Sequence, residues 1–115
     1  MNKEQTEKLW KWCGFSLSED TDTGYKIWRD AKGNLYAAGY DRDTPCDLTL
    51  DSLFKWAVPK LVENWQLEIR KTFSFITSVA LNECKNTPMR RQVFIVEEDP
   101  AEALAQAILE VIDGH

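Results

Sequence analysis

Apolar residues recur at two different spacings in this chain, and each spacing predicts a type of secondary structure. A stripe of apolar residues at helical spacing follows Thr49, which is suited to cap the helix. Pro59 lies inside this stripe, so the helix is expected to kink there or to tighten into its last turn. Its apolar positions are Leu50, Leu53, Phe54, Ala57, Val58 and Leu61.

Two further helices are predicted near the ends of the chain. The first runs from about Asn2 to Cys13, with Leu9, Trp12 and Cys13 on its apolar face and a capping box formed by Asn2 and Gln5. The last opens with Asp99 as cap and Pro100 at its first position, and it carries a wide apolar stripe as far as Gly114.

Between the helices the pattern favours strands. A strand over 15–18 leads into an acidic turn, and segments 25–28 and 35–38 form a β-hairpin in which Gly33 and Asn34 supply positive φ angles. Alternating positions predict strands over 65–70 and 72–81, or one long bent strand. The unbroken apolar run within Gln92–Glu97 predicts an interior strand covered on both faces.

These elements predict an α+β fold in one domain spanning residues 1–115. The expected architecture is a mainly antiparallel sheet packed with three helices, an α-β-α sandwich in the order helix, hairpin, helix, strands, helix.

The charge balance narrows the classes of partner. A formal charge of −5 repels phosphate-rich polymers, so DNA binding is disfavoured. No apolar run is long enough to cross a bilayer and no signal peptide is evident, so no membrane association is expected and the protein is predicted to stay in the cytoplasm.

Catalytic and metal chemistry lack their usual residues. The three cysteines, Cys13, Cys46 and Cys84, are widely separated, and the single histidine is the last residue. This arrangement favours reduced thiols, argues against zinc or another metal, and leaves a serine or cysteine nucleophile without a base. We therefore expect no cofactor and no enzymatic activity.

Three groups of residues are candidates for ligand binding. Trp56 lies on the flank of its helical stripe, where it is either a lid on the core or part of a ligand surface. The basic loop, defined as Lys85, Arg90 and Arg91, suits phosphate or carboxylate, although loop lysines and arginines are ordinarily just solvated. The hairpin group, suited to stacking a base and holding a phosphate, comprises Trp28, Arg29, Tyr40 and Arg42.

Several segments together resemble a known family. They are Trp12-Cys13-Gly14 after the first helix, Asp47-Leu48 followed by the segment from Leu53 to Leu61, and Asp99-Pro100-Ala101-Glu102-Ala103-Leu104. In these residues the chain is similar to small bacteriophage and prophage proteins of the α-β-α sandwich type. The resemblance implies a small cytoplasmic protein of an infected bacterium, with helices on both sides of a sheet and no catalytic residues to transfer.

The sequence thus favours a non-enzymatic, phage-type binding protein. The first hypothesis is that it sequesters a small anionic, nucleotide-like signalling molecule and so counteracts host defence. The alternative is a protein–protein inhibitor or adaptor that acts on a host protein. In either case the surplus of tryptophan, five residues in all, and the broad stripe of the last helix predict a homo-oligomer.

Overall fold

A computed structural model describes residues 1–40, 42–73, 76–84 and 90–114, without the side chains of residues 72 and 73. The chain divides into two compact units, residues 1–47 and residues 48–115. The expectation of a single domain stays a prediction.

The first unit contains one helix and one three-stranded antiparallel sheet. Helix α1 spans Lys3–Trp12, and strands β1, β2 and β3 span Ser16–Glu19, Lys26–Arg29 and Leu35–Gly39 in the order β1-β2-β3. The predicted capping box is confirmed, because the Asn2 side chain accepts from the Gln5 N–H and the Gln5 side chain accepts from the Asn2 N–H.

The predicted hairpin is confirmed, with one difference in its turn. Gly33 has a φ of +84°, but Asn34 does not share this left-handed conformation. The turn is held instead by Asp30, whose carboxylate accepts from the backbone N–H groups of Lys32 and Asn34 at 3.0 Å each. Such side-chain acceptors stabilise a turn without positive φ at the following residue.

The buried face of α1 differs from the predicted one. Leu9 and Trp10 are fully buried, and the Trp10 ring packs edge-on against Phe15 with 6.0 Å between ring centroids. Trp12, which we expected in the core, is only half-buried. The expectation was wrong because it placed the apolar face by Trp12 and Cys13, whereas the chain turns back through Phe15 and covers Trp10.

The second unit contains the remaining helices and a second antiparallel sheet. Helices α2, α3 and α4 span Leu50–Trp56, Val58–Leu61 and Pro100–Asp113, and strands β4, β5 and β6 span Trp65–Phe73, Ile76–Glu83 and Gln92–Glu97. The order of the strands is β4-β5-β6. The strands predicted over 65–70 and 72–81 are present as an antiparallel pair rather than one bent strand, but residues 72 and 73 belong to β4.

The structure shows a break in the helix near Pro59, where a kink or a tightened last turn was predicted. Because proline has no N–H and its ring collides with the carbonyl four residues earlier, α2 ends at Trp56 and the short α3 follows Ala57. The expected stripe holds at Leu53, Ala57 and Leu61, which are all buried. Phe54 was wrongly included, since 47% of it is exposed.

The predicted interior position of β6 is also wrong. Strand β5 is the central strand. Among the strands that the structure describes, β6 pairs with β5 and has no neighbour on its other edge. Burial alternates along β6, and Phe94 and Val96 are 67% and 51% exposed. Four consecutive apolar residues therefore form an edge strand with one exposed face.

The coarse fold class is confirmed: the protein is α+β with antiparallel sheets. The strands form two three-stranded sheets, and the described residues contain four helices instead of three. The sandwich arrangement stays a prediction. None of the helices in the described ranges is long and apolar enough to cross a membrane.

Candidate functional site

The outer side of the sheet β4-β5-β6 carries Phe94 and Val96, the two most exposed large apolar side chains among the described residues of the second unit. Its residues align in two rows across the strands, because Arg70 pairs with Ser78 and Ser78 with Val96, while Glu68 pairs with Ala80 and Ala80 with Phe94. We call this surface the open face and define it as Glu68, Arg70, Ser78, Ala80, Phe94 and Val96.

The period-two alternation of the strands creates this surface. Residues between the two rows point to the opposite side of the sheet, where Val79 and Leu81 are fully buried and α4 packs on β5 and β6. The alanine-rich helix therefore covers β5 and β6 on the inner side, and the alternate positions form the outer side.

The open face has a trough along its central strand. Ser78 and Ala80 are small, so they form the floor between a charged ridge on β4 and an apolar ridge on β6. Glu68, Arg70 and Phe94 complete the lining of a shallow cavity of about 350 Å³. The Arg70 guanidinium and the Glu68 carboxylate are in contact along β4, so the charged ridge is neutral as a whole.

The hairpin group does not converge on one ligand site. Trp28 is fully buried, and its indole Nε1–H donates to the backbone carbonyl of Arg42 at 2.8 Å. Arg29 donates to the Gly33 carbonyl at 3.3 Å. In this conformation the Trp28 ring is a core element whose faces no ligand can reach, and Arg29 closes its own hairpin turn.

Tyr40 and Arg42 remain at the surface. Tyr40 is 65% exposed, and its ring lies 5.1 Å from that of Tyr25 in an edge-to-face arrangement. Arg42 is exposed two residues further on. The structure therefore pairs Tyr40 with Tyr25, a residue that the sequence did not single out, instead of with Trp28.

The basic loop is only partly described. Lys85 lies outside the described residues, and Arg90 is exposed. The Arg91 guanidinium lies 5.4 Å from the centre of the Trp65 ring and donates to the Glu110 carbonyl in the last turn of α4 at 3.3 Å. Arg91 thus stabilises its own unit, since cations are favourable at helix C-termini.

Trp56 is half-buried, which is compatible both with a lid on the core and with a ligand surface. The Lys55 ammonium lies 5.1 Å from the centre of its ring. The cation lies over one face of the ring, and the choice between a lid and a ligand surface stays a prediction.

Lys26 is the most unusual charged residue of the first unit, and no sequence pattern predicted its environment. Its side chain is nearly buried, and its ammonium lies 2.6 Å from the Asp43 carboxylate, which also contacts Lys3 at 3.2 Å. The hydrogen bond to Asp43 raises the pKa of Lys26, and the hydrogen bond to Lys26 lowers the pKa of Asp43. This pair ties β2 to the segment that follows β3.

The exposed side of β6 was also missed, although its signal was present. The run Val93-Phe94-Ile95-Val96 was taken as apolar throughout, so the alternation of exposed and covered positions was not considered. The polar residues opposite it, Glu68 and Arg70, alternate with apolar ones along β4 and mark the same outward side.

In the described part of the chain no three histidine, cysteine, aspartate or glutamate side chains lie together in a way that could hold a metal ion.

Comparison of the chain with family models, curated proteins and solved structures finds no match. The resemblance to phage α-β-α sandwich proteins therefore stays a hypothesis.

Proposed function

We propose that this chain is a non-enzymatic binding protein that docks another protein on the open face. The observation that carries the proposal is the pair of large apolar side chains, Phe94 and Val96, which stand exposed beside each other above the trough of Ser78 and Ala80. The absence of a base for a nucleophile, noted in the sequence, supports a role in binding rather than in catalysis.

The chemistry of the open face suits a protein partner. Protein interfaces combine an apolar centre, often with an aromatic anchor, and a polar rim. Covering an exposed phenylalanine removes apolar surface from water and contributes up to roughly 1.5–3 kcal/mol. Phe94 provides such an anchor, and the Glu68–Arg70 pair provides the polar rim.

Site-specific photo-crosslinking tests this proposal. Benzoylphenylalanine at position 94 should cross-link the chain to a protein when cells that contain it are irradiated. Leu35 is the matched control, because it is 63% exposed and also lies on a strand, but it is outside the open face. Position 35 should give at most weak adducts.

Two outcomes would contradict docking on the open face. The first is that position 94 gives no protein adduct. The second is that positions 35 and 94 give the same adducts in the same yield, which would indicate random collision. Mass spectrometry of each adduct identifies the protein, and mixing it in purified form with the chain then checks that the two bind directly.

Sequestration of a small anionic, nucleotide-like molecule is the second candidate function. It is favoured by the exposed Tyr25–Tyr40 pair with Arg42 nearby, which could stack a base and hold a phosphate. Calorimetry against cyclic and linear nucleotides tests it. Arg42→Ala should weaken binding at least tenfold, about 1.4 kcal/mol, whereas Arg90→Ala in the other unit should not. A panel that releases no heat at millimolar concentration would remove this candidate.

A further inference from the structure

We infer that the partner docked on the open face is a second copy of this chain, related by a two-fold axis. The axis would run across the strands, parallel to the sheet, at the level of Ile69, Val79 and Ile95. The inference rests on the proposed function, because it names the occupant of the same surface.

The register of the sheet determines what such an axis brings together. Ile69, Val79 and Ile95 are aligned across the three strands, midway between the two rows of the open face. A half turn about an axis parallel to this line, in front of the open face, places each strand over its own copy in the opposite direction. The row of Arg70, Ser78 and Val96 then lies over the second copy's row of Glu68, Ala80 and Phe94.

Charge complementarity follows from this exchange of rows. Arg70 of each copy faces Glu68 of the other, so the two-fold axis generates two cross-pairs of opposite charge. Each carboxylate would then lie between the guanidinium of its own chain and that of the second copy. Opposite charges across an interface fix the register more than they add affinity.

The apolar ridges match as well. Val96 of each copy lies over Phe94 of the other, and the cavity of about 350 Å³ above Ser78 and Ala80 gives the second copy's Phe94 ring space to lean inward. A two-fold axis parallel to the strands through β5 would instead place Phe94 over Glu68 and Val96 over Arg70. That arrangement would bury charges against apolar side chains, which costs desolvation without pairing.

Charge reversal on β4 tests the inference. Glu68→Arg should place a second guanidinium opposite Arg70, and Arg70→Glu should place a second carboxylate opposite Glu68, each twice in the dimer. Each single variant should therefore weaken self-association about tenfold or more in sedimentation equilibrium, because two attractive pairs become repulsive. The double variant Glu68→Arg, Arg70→Glu should associate like the original chain.

A mixture of the two single variants is the sharpest measurement. One chain then presents two arginines and the other two glutamates, so a 1:1 mixture should form mixed dimers of twice the monomer mass of 13.3 kDa. Glu63→Arg and Lys32→Glu are matched controls, because both residues are exposed and lie outside the open face while the net charge changes equally. These controls should associate like the original chain.

The outcomes separate this inference from the proposed function. If the original chain remains at 13.3 kDa up to millimolar concentration, or if the mixed variants fail to pair, the second copy is not the partner. Cross-links from position 94 to a different protein would then preserve docking on the open face with another occupant. Absence of every cross-link would contradict both.

Discussion

Trp28 illustrates how a residue singled out for a ligand can serve the fold instead. Its buried indole donates to the Arg42 carbonyl at 2.8 Å and so fastens the segment after β3 to the hairpin. Tryptophan in this position provides both volume and a donor, and a ligand that stacks on it would have to displace core contacts.

We expect Trp28→Phe to lower the free energy of unfolding by about 1–3 kcal/mol, because it removes the hydrogen bond and leaves space in the core. Urea denaturation followed by far-ultraviolet circular dichroism measures this loss. Tyr40→Phe is the control and should change stability by less than about 0.5 kcal/mol. Equal effects of the two substitutions would show that the indole hydrogen bond does not stabilise the unit.

The Lys26–Asp43 pair predicts a dependence of stability on pH at both ends of the scale. The pKa of Asp43 is lowered from 3.8, so its stabilising effect is present above that value and is lost as the pH falls through the lower folded pKa. The pKa of Lys26 is raised from 10.5, so its stabilising effect is present below that value and is lost as the pH rises through the higher folded pKa.

Asp43→Asn should lower the melting temperature at neutral pH and flatten its decline at both extremes of pH, because the carboxylate is the hydrogen-bond partner of Lys26. Asp22→Asn, in the exposed acidic turn, is the control and should leave the alkaline decline unchanged. Melting curves recorded on both sides of pH 3.8 and of pH 10.5 measure both variants. Identical pH profiles of Asp43→Asn and the original chain would contradict the pairing.

Among the elements, α4 begins with an aspartate cap followed by a proline. Asp99 precedes it in an extended conformation, and its carboxylate accepts from the Ala101 N–H at 3.0 Å while Pro100 occupies the first turn. This cap positions the helix that covers the inner side of the sheet.

Asp99→Ala should reduce the free energy of unfolding by about 1 kcal/mol, the usual loss for an aspartate cap. Glu98→Ala removes a neighbouring exposed carboxylate that makes no cap and should cost less than about 0.5 kcal/mol. Guanidinium titration of both variants decides between a capping effect and a general effect of negative charge.

The elements also show which parts of the fold can be predicted from the sequence. The caps at Asn2, Thr49 and Asp99 were predicted, since each depends on residues within one helical turn. The edge position of β6 and the exposure of Phe94 were not, because strand order is set by contacts far apart in the sequence. Local patterns specify an element, and they do not specify what covers it.

For the candidate site, too, the sequence predicted the residue types but not their tertiary contacts. The residue types suited to anion binding were recognised, but the structure buries Trp28 and engages Arg29 and Arg91 within their own units. Whether an arginine is exposed or holds a backbone carbonyl depends on tertiary contacts, so no pattern of neighbours in the sequence could distinguish the two. The open face required knowledge of the register between β4, β5 and β6.

At the scale of the whole molecule, the net charge of −5 predicts weak interaction with nucleic acids. We expect no mobility shift of duplex or single-stranded DNA at about 0.15 M salt and micromolar protein, since a basic patch would have to overcome the overall repulsion. Arg70→Glu, which adds negative charge, serves as the control. A shift by the original chain that the control variant abolishes would identify a DNA contact on the open face.

The edge strand β6 also affects the tendency of the protein to aggregate at high concentration. Val93-Phe94-Ile95-Val96 has the composition of segments that add to one another in amyloid, and the three carboxylates that follow at positions 97–99 act as gatekeepers. Near pH 4.9 the net charge vanishes, so the long-range repulsion between chains is lost, while no described strand pairs with the outer edge of β6. Turbidity and thioflavin fluorescence should therefore be greatest near this pH, and Phe94→Lys should suppress both by placing a charge within the run.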